Sequence, residues 1–235
     1  MTHDHDVHPQ AGPVLVTGGA SGLGAAVATA VARRGGRPVV LDVQQPPEGL
    51  PWIKADLADP AAAESAVAQA VELAGAPVGV VTAAGTDTPG RLDEVSLEAW
   101  TRVVAVNLLG TAAVIRAALP HLRSTRGRVV TIASTLGLRA ASDATAYCAS
   151  KFGIVGFTRA LAAETAGEVG VTLLVPGGMR THFFDGRPEQ YRPGPDAQLN
   201  DPADVAEAVL FALSQPAGCE VRELVVCAST EPSWP

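Results

Sequence analysis

The sequence predicts an α/β fold built on a doubly wound parallel β-sheet, and three features carry that expectation. Short apolar runs alternate with longer stretches of helical periodicity along the chain. The runs are apolar at successive positions, as strands covered on both faces require. The first run, Val14-Leu15-Val16, breaks directly into a glycine cluster that opens a helical stretch. Right-handed crossovers between parallel strands then put helices on both faces of the sheet.

Taken in order, Val14-Leu15-Val16 is the first strand, and an Ala/Val-rich helix follows to about Arg34. Pro38 to Asp42 is the second strand and Trp52-Ile53-Lys54 a short third. Asp59-Pro60 starts a helix with an N-cap and a proline in its first turn, running to about Ala74. Val78 to Thr82 is the fourth strand, and a long helical region covers Leu97 to about Arg123, across the break expected at Pro120. Arg128 to Ile132 is the fifth strand, and a helix holding Tyr147 and Lys151 extends to about Glu164. Val171 to Val175 is the sixth strand, Asn200-Asp201-Pro202 opens a helix to about Ser214, and Val221 to Val226 closes the series, about seven strands in all.

The 235 residues, 47% of them hydrophobic, suffice for one core. Residues 1–10 read as a disordered, solvated tail, with His3, His5 and His8 part of it and no metal site expected. That tail resembles neither a signal nor a transit peptide. Residues 11–235 form the domain, and its least regular segment, 181–199, is the candidate substrate lid. A net charge of -7 argues against a nucleic-acid partner. No uninterrupted stretch looks apolar and uncharged enough to span a membrane. Cys148, Cys219 and Cys227 are an odd number without metal-ligand spacing, which points to a reducing, cytoplasmic setting.

Thr17-Gly18-Gly19-Ala20-Ser21-Gly22-Leu23-Gly24 lies between the first strand and the first helix. Glycines there let the backbone approach a pyrophosphate, which the helix N-terminus stabilises through its free N–H groups and dipole. Asp42 ends the second strand about 20 residues on, where an acidic side chain hydrogen-bonds the adenosine ribose. A 2′-phosphate at that place would meet a carboxylate and be repelled by roughly 4 kcal/mol per charge pair at ~4 Å. NAD is therefore expected in preference to NADP.

Tyr147 and Lys151 are one helical turn apart and share a face. An ammonium beside a phenol favours the phenolate, so the tyrosine pKa is expected to fall. Cys148, one position on, points elsewhere and reads as packing. His182, Phe183, Phe184 and Tyr191 fall in the lid, where substrate contact and simple packing are both open.

With these residues in view, the chain resembles the short-chain dehydrogenase/reductase family over its length beyond the tail. The glycine loop matches through Gly18, Ser21, Gly22, Leu23 and Gly24. So do Asp56-Leu57, Ala83-Ala84-Gly85, Asn107-Leu108-Leu109-Gly110, Ser134 after Ile132-Ala133, Tyr147-x-x-x-Lys151, and Pro176-Gly177-Gly178-Met179-Arg180-Thr181. Each motif is weak singly; in this order, on these elements, the set is specific.

The resemblance implies a Rossmann-type domain and a catalytic set of Asn107, Ser134, Tyr147 and Lys151. Tyr147 acts as general acid or base, Lys151 lowers its pKa and holds the nicotinamide ribose, and Ser134 holds the substrate oxygen. Asn107 holds a water that links Lys151 to solvent. Asp56 contacts the adenine with Leu57 beside it, Ala83, Ala84 and Gly85 line the adenosine side, and Pro176, Gly177, Met179 and Thr181 flank the nicotinamide. The family often has Asn where this chain has Thr82 and Ala83, and a glycine pair after its last strand that is missing here.

The function expected is NAD-dependent interconversion of a secondary alcohol and a ketone. A 3-hydroxyacyl-CoA dehydrogenase or 3-oxoacyl thioester reductase is the alternative among enzymes, and a non-catalytic dinucleotide sensor the alternative of another class. The partners expected are a small-molecule alcohol or ketone and further copies of the chain, with a homotetramer favoured over a dimer by resemblance.

Overall fold

Strands β1 (Pro13–Thr17), β2 (Arg37–Asp42), β3 (Trp52–Lys54) and β4 (Gly79–Thr82) lie in one sheet with three later strands. Those are β5 (Arg128–Ile132), β6 (Gly170–Pro176) and β7 (Glu223–Val226). The computed structural model describes residues 12–47 and 49–231, so the tail expected at 1–10 lies outside the described residues. The sheet order is β3-β2-β1-β4-β5-β6-β7, and every neighbouring pair is parallel. Chain order reverses between β1 and β4, and the crevice beyond the carboxyl ends of those strands is where such sheets bind ligands.

Strands β1, β2, β4, β5 and β6 are buried on both faces because their alternate residues feed separate cores, whereas the edge strands β3 and β7 are partly exposed. Leu15, Val39, Leu41, Val80 and Val129 face helices α2 (Pro60–Ala74) and α4 (Thr111–Thr125). Val14, Val16, Val40, Val81 and Val130 face helices α1 (Gly22–Arg33) and α6 (Pro202–Leu213). A side chain buried as fully as these contributes about 1.5–3 kcal/mol. The remaining helices are α3 (Leu97–Val104) and α5 (Thr145–Glu164). Asp59 and Asp201 cap α2 and α6 by accepting from the backbone N–H of Ala61 and Ala203 at 2.9 Å, with Pro60 and Pro202 in the first turns. Each such cap is worth about 1 kcal/mol.

The long helical region differs in two ways from its expected form. Between α3 and α4 it widens into a π-helical turn, Ala105–Gly110, so the path is continuous but not uniformly α. Gly110 is needed there because a Cβ would lie 2.4 Å from the carbonyl oxygen of Leu57. Pro120 does not end α4. It and Arg116, whose carbonyl loses its helical donor, both face solvent, where water can take the donor's place.

The joined helical path, Leu97–Thr125, is 29 residues long and is apolar enough to cross a membrane by length and composition, contrary to the sequence expectation. Its apolarity has another account: Val103, Val114, Ile115, Ala118 and Leu122 are buried in the protein. Smaller boundary shifts occur at β7, which starts at Glu223, and at β6, which extends to Pro176.

Candidate active site

The turn after β1 is shaped for close backbone approach. Gly18 has φ +69°, and a Cβ there would lie 2.6 Å from Ala84 Cα. A Cβ on Gly24 would lie 2.1 Å from the carbonyl oxygen of Gly18. Ser21 is the N-cap of α1 but makes no capping hydrogen bond with its side chain, leaving the first-turn N–H groups aimed outward. Asp42 stands beside this loop. Its carboxylate accepts from the N–H of Ala20 and of Gln44, each at 2.9 Å. This cradle, with no room for a Cβ at Gly18 or Gly24 and a carboxylate at its edge, fits a dinucleotide.

Ala84, beyond β4, is tied to β1 by donating its N–H to Thr17 Oγ1 at 3.1 Å. Thr82, where the family often has Asn, is buried, and its hydroxyl has no hydrogen-bond partner among the described residues. Asp56 accepts from Ala58 N–H at 3.0 Å and pairs with Arg102 at 3.2 Å, while Leu57 is buried. Thr181 reaches the glycine loop: a Cβ on Gly22 would lie 3.5 Å from its methyl group. Its hydroxyl also accepts from Phe183 N–H at 3.3 Å, opening a short 3₁₀ turn.

The four expected catalytic residues meet beyond the ends of β4 and β5. Helix α5 carries Tyr147 and Lys151 on one face, with Lys151 Nζ 5.6 Å from the centre of the Tyr147 ring. Lys151 Nζ donates to the carbonyl of Ile132 at 2.8 Å. Ser134 follows two residues later, hydrogen-bonds Tyr147, and accepts from Leu136 N–H at 3.1 Å. The π turn aims Asn107 inward. Its amide donates to the Thr86 carbonyl at 2.9 Å and to Ser150 Oγ at 3.0 Å, and its carbonyl accepts from Thr86 N–H at 2.8 Å. Gly85 stands near both Asn107 and Lys151: a Cβ there would lie 3.6 Å from Asn107 Oδ1 and 3.8 Å from Lys151 Nζ.

One expectation is reversed. The Tyr147 pKa is pushed up to about 12, not down. Burial is the main cause; the Ser134 hydrogen bond opposes it, Asp87 raises it further, Arg187 lowers it and Cys148 raises it. Lys151 is itself pushed down to about 8 by burial. The physical reason is that burial desolvates the phenolate, while the Lys151 ammonium directs its hydrogen bond to a backbone carbonyl and not to the phenol.

Residues 181–199 leave and rejoin the sheet end at one place. Met179 bridges to Asn200, the Asn200 N–H donates to the Gly178 carbonyl at 2.9 Å, and Arg180 pairs with Asp201 at 3.2 Å. Gly177 N–H in turn donates to the Val226 carbonyl at 2.9 Å, fixing the backbone after Pro176. From this excursion Phe183 packs on Tyr147, with ring centres 5.6 Å apart. Arg187 lies over both Phe183 and Phe184, at 4.5 and 4.9 Å from the ring centres. It pairs with Asp87 at 3.2 Å, and both side chains are nearly buried, at 12% and 6% exposure.

Comparison with known proteins gives the family. The sequence model described as short chain dehydrogenase matches residues 13–192. The chain belongs to the short-chain dehydrogenase family. It is 35% identical to 2,5-dichloro-2,5-cyclohexadiene-1,4-diol dehydrogenase of Sphingobium indicum, over 86% of this chain and 89% of that one. It is 32% identical to L-fucose dehydrogenase of Mus musculus, over 93% and 88%. An alcohol dehydrogenase from Thermococcus sibiricus, solved with 5-hydroxy-NADP, superposes with a TM-score of 0.81 at 25% identity, covering 92% of this chain and 95% of that one.

As a short-chain dehydrogenase the protein is an oxidoreductase of a nicotinamide-dependent family. Among the aromatics of the 181–199 segment, Phe183 reaches Tyr147, whereas His182 is exposed and contacts Asp185 at 2.7 Å. Cys148 is buried, as its helical phase suggests. Sequence reasoning missed Asp87 and Arg187. Asp87 had one legible signal, since it follows Ala84-Gly85-Thr86 at the carboxyl end of a central strand. Arg187 had none, because its partner is distant in the sequence. Ser150, which links Asn107 to α5, was also missed; it is hidden within an ordinary helical stretch.

Proposed function

We propose that this protein is an NAD-dependent oxidoreductase interconverting a secondary alcohol and a ketone, with Tyr147 as general acid and base. The observation that carries this reading is the Tyr147 hydroxyl bonded to Ser134, with Lys151 on the same helix face. The alcohol-directed names of the relatives agree with it.

Gly18, Ser21, Gly22, Leu23 and Gly24 would hold the pyrophosphate, and Asp42 the adenosine ribose. Asp56, Leu57, Ala83, Ala84 and Gly85 would line the adenosine side, and Pro176, Gly177, Met179 and Thr181 the nicotinamide side. The nicotinamide, when bound, supplies or accepts the hydride. Ser134 would hold the substrate oxygen beside Tyr147 and stabilise charge building on it. In ketone reduction Tyr147 gives its phenolic proton to that oxygen; in alcohol oxidation it takes the proton away. With its pKa raised by burial, Tyr147 carries its proton at neutral pH, as ketone reduction requires, and Lys151, near 8, can gain or lose a proton close to neutral pH. Asn107 would place a water between Lys151 and solvent, completing the relay. The segment 181–199 would act as the lid, since Phe183 already lies against Tyr147.

The preference for NAD over NADP rests on Asp42. Assembly into a homotetramer is part of the proposal: Leu109 and Phe152, at 50% and 45% exposure, offer apolar surface for it, and sedimentation would test it. The activity is tested by screening secondary alcohols with NAD and following the absorbance of the reduced nicotinamide. Dinucleotide binding with no turnover across a broad panel would contradict it.

A further inference from the structure

The Asp87–Arg187 pair is a large electrostatic feature of the site for which the alcohol chemistry of Tyr147 has no use. A buried ion pair is costly to assemble, and this one is incompletely satisfied. Asp87 Oδ1 and Arg187 Nη2 are both buried, yet neither makes a hydrogen bond among the described residues. The 3.2 Å contact between Arg187 Nη2 and Asp87 Oδ2 holds the two side chains together without meeting hydrogen-bond geometry. An acceptor and a donor therefore stand side by side with capacity left over.

Their place is fixed relative to the reacting centre. Asp87 directly follows Thr86, whose backbone N–H and carbonyl are both bonded to the Asn107 side chain. Arg187 lies on Phe183, and Phe183 on Tyr147. Both charges are close enough to act on the ionisation of Tyr147, in opposite directions. Burial raises the Asp87 pKa, with Arg187 and the Thr88 backbone opposing that rise.

The geometry points to Asp87 and Arg187 as a recognition pair for a second hydroxyl of the substrate, making the substrate class neutral diols and polyols. This inference rests on the alcohol-oxidising reading above and narrows its substrate. A hydroxyl is both donor and acceptor on one atom, so it can give its proton to Asp87 Oδ1 while accepting from Arg187 Nη2. A carboxylate would pair with Arg187 but meet Asp87, and an ammonium would meet Arg187. A hydrocarbon at that end would leave both groups unsatisfied. The pair is neutral as a whole, so it selects neutral polar groups.

The test compares kcat/KM, with NAD, for cyclohexanol, cyclohexane-1,2-diol, cyclohexane-1,4-diol, an aldohexose and 4-hydroxycyclohexanecarboxylate. At least one neutral diol or polyol should exceed cyclohexanol by about tenfold or more, mainly through KM, with the carboxylate below cyclohexanol. Asp87→Ala removes the acceptor and releases the charge of Arg187. The ratio of diol to cyclohexanol should then fall toward one, and the ratio of carboxylate to cyclohexanol should rise about tenfold. The double variant Asp87→Ala/Arg187→Leu, which leaves no buried charge unpaired, should lose the diol preference without gaining the carboxylate. Saturation-transfer NMR on the NADH-loaded protein should rank the probes in the same order by binding. Turnover of cyclohexanol with no diol or polyol favoured, or ratios unmoved by Asp87→Ala, would overturn the diol inference while leaving alcohol oxidation standing. No turnover of any probe would overturn both.

Discussion

Replacing Asp42 by Asn tests how this site chooses its dinucleotide. The carboxylate is held by two backbone N–H groups at 2.9 Å, those of Ala20 and Gln44, so it cannot easily swing away from an incoming phosphate. Two unit charges at ~4 Å with an effective dielectric near 20 repel by about 4 kcal/mol, a factor of roughly a thousand in binding. Asp42 is partly exposed, and salt lowers that toward a hundredfold. Nearby basic residues offer limited relief: Arg34, at the end of α1, is paired with Glu207 on α6. NADH should therefore bind about a hundredfold or more tighter than NADPH, and Asp42→Asn should bring the two within about tenfold. Titrating each dinucleotide by calorimetry or fluorescence needs no substrate. Equal affinities in the parent, or an unchanged ratio in Asp42→Asn, would rule out Asp42 as the discriminating group.

Three further expectations follow from the same geometry. Lys151 has its pKa lowered to about 8 by burial, so the unfolded chain holds this proton more tightly between pH 8 and the free-lysine value near 10.5. Stability should consequently rise by about 2 kcal/mol between pH 7.5 and 9.5 relative to Lys151→Met, read from urea unfolding at the two pH values. Gly24→Ala would set a Cβ 2.1 Å from the Gly18 carbonyl oxygen, and should weaken NADH binding by tenfold or more and cost about 1–3 kcal/mol of stability. Asn107→Ala would strand the backbone N–H and carbonyl of Thr86 and take one of its two partners from Ser150 Oγ, which still donates to the Tyr147 carbonyl; unfolding should be easier by about 1–3 kcal/mol, and kcat should fall more than KM rises.

Elements whose signals are local were legible in the sequence. The apolar runs of β1, β2, β4 and β5 and the Asp-Pro starts of α2 and α6 needed only neighbouring residues. The glycine loop, Asp42 and the Tyr147–Lys151 spacing were readable for the same reason. Features made by distant contacts were not. The π turn at Ala105–Gly110 depends on packing against Leu57, and Pro120 survives in α4 because its side of the helix faces water. The direction of the Tyr147 pKa depends on desolvation, which spacing along a helix does not reveal. Arg187 and Asp87 are a hundred residues apart in sequence, and only the path of the 181–199 segment over Phe183 brings them together.

Proton transfer at the reacting carbon's oxygen is assigned to the Tyr147 hydroxyl. Tyr147→Phe removes that one oxygen and leaves the ring against Phe183 and the Asn107–Thr86 bonds in place. The measurement is kcat on the best alcohol found in the NAD screen, alongside the NADH dissociation constant of the same variant. Tyr147→Phe should lower kcat by about 10²–10⁴ with NADH affinity held within a few-fold. Retention of full turnover by Tyr147→Phe would contradict it.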